Sequence, residues 1–95
     1  MNVTAKKKVE KDIEKIPGYA QELAAANIKI LMAANNLDEI QNVERMKGTD
    51  EPYYRMKFND YRFLLHLDEQ NNLVTIRALT HRKDSYKKQN LPWRK

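Results

Sequence analysis

Tyr53-Tyr54-Arg55-Met56-Lys57-Phe58-Asn59-Asp60-Tyr61-Arg62-Phe63-Leu64-Leu65-His66-Leu67 carries a period of two around one short polar break. Tyr54, Met56 and Phe58 alternate with Arg55 and Lys57. Beyond Asn59-Asp60, Tyr61, Phe63, Leu65 and Leu67 alternate with Arg62, Leu64 and His66. Successive side chains of a strand point to opposite faces, so this spacing reads as two strands. Asn-Asp suits the tight turn of a hairpin between them. Asp68 to Asn72 supplies a second turn, and Leu73 to Leu79 a third strand. If the aromatic face of the first strand meets a core, Arg55 and Lys57 stand on the other face.

Upstream the period lengthens. Lys6 to Ile16 reads as a helix, with Val9, Ile13 and Ile16 on one side and lysines and glutamates between them. Pro17-Gly18 ends it. A second helix is predicted from about Tyr19 to Ala34, with Leu23, Ala26, Ile30 and Ala33 as its apolar seam. Asn35-Asn36 closes that helix, and Asn2 to Ala5 suits a short edge strand. Leu37 to Lys47 fits either a loop or a helical turn, and Gly48 to Pro52 is a turn-rich break. The predicted fold class is α+β: an N-terminal strand and a two-helix hairpin packed on a small, mainly antiparallel sheet, with a short C-terminal tail, all in one domain over 1–95. No element is left to cover the second face of the sheet, which is expected to form a basic groove.

Composition narrows the function classes. A chain of 95 residues makes one small domain. No apolar run approaches the roughly 18–20 residues of a membrane span, and Met1 to Thr4 lacks the apolar core of a secretory signal. There is no cysteine, hence no disulfide and no thiolate ligand, which fits a cytoplasmic protein. The net charge is +5, and the last fifteen residues alone hold six Lys/Arg against one Asp. A clustered excess of this kind points to an acidic partner, nucleic acid first. His66 has no second histidine or carboxylate at ligand spacing and reads as structural, so neither a metal nor a small-molecule cofactor is expected. Glycine-rich phosphate loops and serine nucleophile motifs are absent from the sequence. Tyr54 and Tyr61 are assigned to the core, and Trp93 in the tail could dock on the sheet or meet a partner.

Two groups of candidate site residues remain. One is Arg55, Lys57 and Arg62 on the hairpin. The other follows the third strand: His81, Arg82, Lys83, Tyr86, Lys87 and Lys88. Metal-free RNA cleavage needs such parts, because the substrate's own 2′-hydroxyl attacks the phosphate and the protein supplies position, charge and protons. Each placed acid or base is worth about 10²–10⁴ in rate, and fixed cations stabilise the charge gathering on the phosphorane. Guanidinium forks suit the phosphate oxygens. Imidazole, with an ordinary pKa of about 6.5, suits proton transfer near neutrality. Arg62, Arg82 and His81 are therefore expected to converge around one phosphate-sized gap.

The ordered set Met46-Lys47-Gly48, Tyr53-Tyr54-Arg55-Met56-Lys57, Asp60-Tyr61-Arg62-Phe63 and His81-Arg82-Lys83-Asp84-Ser85-Tyr86 resembles the RelE-like toxins of the RelE/ParE superfamily, over nearly the whole chain. The resemblance implies a RelE-like fold and a ribosome-dependent endoribonuclease that cuts messenger RNA, halts translation and is neutralised by a tightly bound antitoxin. It further implies that Arg55 and Lys57 are the family's strand cations, that Arg62 grips the scissile phosphate with Arg82 in support, and that His81 and Tyr86 stand at catalytic positions. Lys83, Lys87 and Lys88 would join Arg55 in holding RNA. Arg55 stands where the best-known pattern has lysine, and arginine stays charged. Proton transfer is thereby left to Lys57, His81 or Tyr86. The antitoxin is expected to block the groove or displace the tail from Leu91 onward. Two other functions compete: gyrase inhibition in the manner of the ParE branch, and non-catalytic RNA or ribosome binding.

Overall fold

A computed structural model describes residues 1–83. In chain order the elements are β1 (Asn2–Ala5), α1 (Lys7–Lys15), α2 (Gly18–Ala33), a 3-10 turn (Leu37–Glu39), β2 (Val43–Arg45), β3 (Tyr53–Phe58), β4 (Tyr61–Asp68) and β5 (Leu73–His81). The five strands form one sheet in the order β1-β5-β4-β3-β2. β1 runs parallel to β5, and the other pairings are antiparallel. The two hairpin turns each use an asparagine in the left-handed region, Asn59 at φ 57° and Asn72 at φ 50°. Asparagine tolerates that conformation better than other non-glycine residues, which is why the chain reverses there. Among the described residues no helix is long and apolar enough to cross a membrane.

Both helices lie on one face of the sheet. Val9, Ala24 and Leu31 meet Met56, Phe58, Phe63, Leu65, Val74 and Ile76 in a continuous core. Tyr54 and Tyr61 pack against this core, as the strand alternation required. The seam of α2 differs from expectation. Its buried residues are Ala20, Ala24, Asn27 and Leu31, while Leu23 and Ile30 are exposed and Met32 is 58% exposed. The helix is apolar almost all the way round, so periodicity alone does not choose a face. Packing chooses it: the small side chains of Ala20 and Ala24 let the helix sit close. Asn27 provides the polar contact. It donates to Leu23 O at 2.8 Å and accepts from Asn42 Nδ2 at 2.8 Å.

The stretch read as loop or helical turn divides in two. Leu37–Glu39 makes a 3-10 turn, with Asn36 Oδ1 accepting from Glu39 N–H at 3.2 Å. Val43–Arg45 forms the edge strand β2, whose Glu44 pairs with Arg55 across the ladder. Three residues with two of them exposed are too few for a period of two to register.

One irregularity matters most for the site. The β4–β5 register slips between Leu64 and Leu65: Leu65 faces Ile76, but Leu64 faces Ala78. Arg77 is the extra residue of a β-bulge. Strict alternation from Val74 and Ile76 would send Leu79 and His81 to the open face. The bulge reverses that parity, so Leu79 opposes Phe63, His81 opposes Tyr61, and Leu79 packs on the core.

Candidate functional site

The turn between β3 and β4 organises the cations. Arg62 faces Lys57 on β3 and Thr80 on β5, on the sheet face away from the helices. Its Nη1 donates to the carbonyl oxygens of Asn59 at 3.2 Å and Tyr61 at 2.9 Å. The guanidinium is thus pinned against the turn, and no carboxylate pairs with it among the described residues. Asp60 instead serves Arg82: Asp60 O accepts from Arg82 N–H at 2.6 Å, and Arg82 Nε lies 3.5 Å from Asp60 Oδ1. Arg62 and Arg82, twenty positions apart, are brought to the same turn.

Arg55 and Lys57 stand on the open face, with a neighbour not foreseen from the sequence. Glu44 of β2 accepts from Arg55 Nη2, and its Oε1 lies 3.8 Å from Lys57 Nζ. The Arg55 side chain is 12% exposed and Glu44 50%. The hydrogen bond from Arg55, then its charge, hold the Glu44 carboxyl below the usual carboxylate range. Arg55 is therefore an internal counter-ion, and Lys57 presents its charge outward. Lys57 is positioned through its backbone: Asn42 Nδ2 donates to Lys57 O at 2.7 Å, and Lys57 N–H donates to Asn42 O at 2.9 Å. The same Asn42 amide reaches Asn27, so α2 helps set the height of Lys57.

His81 does not join Arg62. The bulge at Arg77 places it on the helix-side face, where its ring meets the Tyr61 ring edge-on at 5.5 Å. Its Nδ1 accepts from Lys83 N–H at 3.2 Å. That bond occupies Nδ1 as an acceptor and leaves Nε2 as the ring's other hydrogen-bonding atom. The expected convergence of Arg62, Arg82 and His81 on one gap is corrected accordingly: two guanidiniums share the turn, and the imidazole stands behind it. Lys83 is exposed. Tyr86, Lys87, Lys88, Trp93 and the tail from Leu91 lie outside the described residues.

At the other end of the open face Tyr53, His66 and Arg77 form a second group. Tyr53 faces His66 across the ladder, with ring centroids 5.1 Å apart in an edge-on pair. The Arg77 guanidinium sits 5.8 Å from the Tyr53 ring centroid. Burial pushes the Tyr53 phenol up from its ordinary value, against the opposing pull of Arg77. Among the described residues no group of histidines and carboxylates could hold a metal ion. Sequence reasoning missed Glu44, Asn42 and Arg77. The cross-strand position of Glu44 depends on β2, and the meeting of Arg77 with Tyr53 on the pairing of β5 with β3 through β4.

The family described as ParE toxin of type II toxin–antitoxin system, parDE, matches residues 3–86. No curated protein matches the sequence. Among solved structures, the RelE–RelB complex of Pyrococcus horikoshii OT3 matches with TM-score 0.73 and 23% identity, over 85% of this chain and 93% of that one. The RelB–RelE antitoxin–toxin complex of Methanococcus jannaschii matches with TM-score 0.71 and 22% identity, over 88% and 95%. The isolated RelE toxin of E. coli matches with TM-score 0.62 and 12% identity, over 84% and 82%. These identities speak to the fold, while the family match spans nearly the whole chain. The strand, helical hairpin and five-stranded sheet are those of a RelE-like toxin, and the chain belongs to the ParE toxin family of type II toxin–antitoxin systems within the RelE/ParE superfamily.

Proposed function

We propose that this toxin is a ribosome-dependent endoribonuclease that cleaves messenger RNA without a metal and so halts translation in the cytoplasm. The observation that carries the reading is the arrangement at the β3–β4 turn. Arg62 and Lys57 are cross-strand neighbours on the sheet face away from the helices, and Arg82 is held at the same turn. The RNA 2′-oxygen attacks the phosphorus, the P–O5′ bond breaks, and a 2′,3′-cyclic phosphate and a 5′-hydroxyl result. Arg62, supported by Arg82, neutralises the phosphorane. Lys57, as ammonium, lies beside Arg62 and supplies the proton to the leaving 5′-oxygen. The 2′-proton goes to His81 or Tyr86; in the alternative route Lys57 itself takes it and passes it to the leaving 5′-oxygen. In the conformation described, His81 stands on the helix-side face with Nδ1 engaged by Lys83 N–H, so its role as base requires that bond to open and the ring to swing round the strand end. RNA is held further by Lys83, Lys87 and Lys88, and Arg55 joins them where the strand draws it from Glu44.

The similarity to antitoxin–toxin complexes supports a cognate antitoxin as partner; the ribosome and messenger RNA are the targets that the nuclease reading itself assigns. Induced expression followed by mapping of transcript 5′ ends, with and without translation, tests the reading. New 5′ ends that require translation and vanish in Arg62→Ala support it. A second reading, gyrase inhibition, is favoured by the ParE family match and by the turning of His81 away from Arg62. Growth arrest with intact transcripts and broken DNA would replace the first reading with the second.

A further inference from the structure

The bulge in β5 does more than turn His81 away. It brings Ala78 beside Arg77 on the face away from the helices, where plain alternation already places Arg77, and the Arg77 guanidinium lies over the Tyr53 ring. Bulges cost ladder hydrogen bonds and are over-represented beside active sites, where they re-aim a side chain. Tyr53 is only 4% exposed, so its ring serves as a base plate. The partly exposed groups above and beside it are Arg77 and His66. Between this trio and Arg62 the floor is apolar and low: Leu64 opposes Ala78, and Thr80 opposes Arg62. A cation at each end with a small, apolar floor between them suits a strand that is charged along its backbone and flat on its bases.

The geometry points to a nucleotide subsite made of Tyr53, His66 and Arg77, which takes a base of the RNA strand flanking the cleaved bond. It rests on the RNA-cleavage reading above and adds to it the residues that bias which sequence is cut. A base stacks on the outer plane of the Arg77 guanidinium, completing a stack of ring, guanidinium and base. His66 stands beside that stack as a hydrogen-bonding ring for the base edge. From Arg62 to His66 is four residues along β4, about 13 Å at the rise of a strand. That distance holds about four nucleotides at a stacked rise of ~3.4 Å, and fewer when the strand is drawn out. The subsite therefore reads a position near the cleaved phosphate and not the cleaved nucleotide itself.

The test is an NMR titration of the intact protein with hexa-adenylate RNA, set against inorganic tripolyphosphate as a probe of charge alone. The expected result is movement of the His66 ring and Arg77 Nε–H signals with the RNA and not with tripolyphosphate. Arg77→Ala should weaken RNA binding about tenfold, the scale of one lost stacking contact. Arg77→Lys keeps the charge without the plane and should restore little of it. Unmoved signals, or equal movement with both probes, would overturn the subsite. So would movement with the purified antitoxin alone. The wild-type titration decides the matter even where Arg77→Ala folds poorly. Transcript mapping separates this proposal from the one beneath it. RNA-dependent shifts without any cleavage leave the subsite and remove the nuclease, whereas cleavage with unmoved His66 and Arg77 signals does the reverse.

Discussion

Arg62 and Glu44 show how single residues set the open face. Arg62 spends one nitrogen on the carbonyls of Asn59 and Tyr61, which fixes the plane of its fork before any phosphate arrives. Arg62→Ala should lower the cleavage rate about 10²–10³-fold, the range found when one donor to a developing oxyanion is lost. Arg62→Lys should recover little, because an ammonium offers no planar pair of donors. Single-turnover rates on programmed ribosomes, with unchanged thermal unfolding, check both. Glu44 works in the opposite sense, since it holds Arg55 and draws on Lys57. Glu44→Gln should bind RNA more tightly yet unfold more readily, by about 1 kcal/mol given how exposed the carboxylate is. The pH dependence follows from the direction of the shift. A carboxyl whose folded pKa is depressed contributes stability in full above its unfolded value of about 4.3, and loses it as pH falls through the lower folded value. The stability gap between wild type and Glu44→Gln should therefore be wide at pH 7 and close below about pH 4 in urea titrations.

At the scale of elements, α2 and β5 mark the limit of what the sequence discloses. The β3–β4 hairpin, α1 and the packing of Tyr54, Met56, Phe58 and Phe63 on the core follow from periodicity, because polar and apolar residues alternate along those segments. The buried face of α2 does not. Its residues are apolar on nearly every side, and the choice of Ala20, Ala24, Asn27 and Leu31 is made by close packing and by the bond from Asn42 to Asn27. β5 hides its bulge for a related reason: Arg77-Ala78-Leu79 reads equally well in either parity, and only pairing with β4 reveals the slip. Half the expected site was legible, as the turn cations Arg62 and Arg82. The position of His81 was not, since it lies beyond the bulge. The packing account of α2 has measurable consequences. Asn27→Ala should cost about 1–2 kcal/mol by removing a buried hydrogen-bond partner of Asn42. Ala24→Leu should cost about 1–3 kcal/mol through overpacking. Leu23→Gln and Ile30→Gln, on the exposed face, should stay within about 0.5 kcal/mol of wild type. Chemical unfolding of the four variants distinguishes this face of the helix from the alternative seam, which would reverse the order of the effects.

For the molecule as a whole, the net charge of +5 is spread unevenly, and the fold explains where it can act. The helices occupy one face of the sheet with their own balanced lysines and glutamates. The other face carries Lys57, Arg62 and Arg77, while Glu44 cancels part of it at Arg55 and Asp60 offsets Arg82. Among the described residues, cations gathered in this way attract a polyanion to that face, and the attraction must fall as salt replaces the counter-ions that binding releases. For single strands the slope of log affinity against log salt is about −0.7 per phosphate neutralised. Contact by Lys57, Arg62 and Arg82 thus predicts a slope near −2, deepened by any contact from Lys83, Lys87 and Lys88. Arg62→Ala should make the slope shallower by about 0.7, whereas Glu44→Gln should raise the affinity at every salt concentration. Fluorescence anisotropy with hexa-adenylate RNA across a salt series measures both. A slope unchanged by Arg62→Ala would mean that the strand does not pass the β3–β4 turn. The cations would then be serving the fold and its protein partner, and the nuclease reading would lose its site.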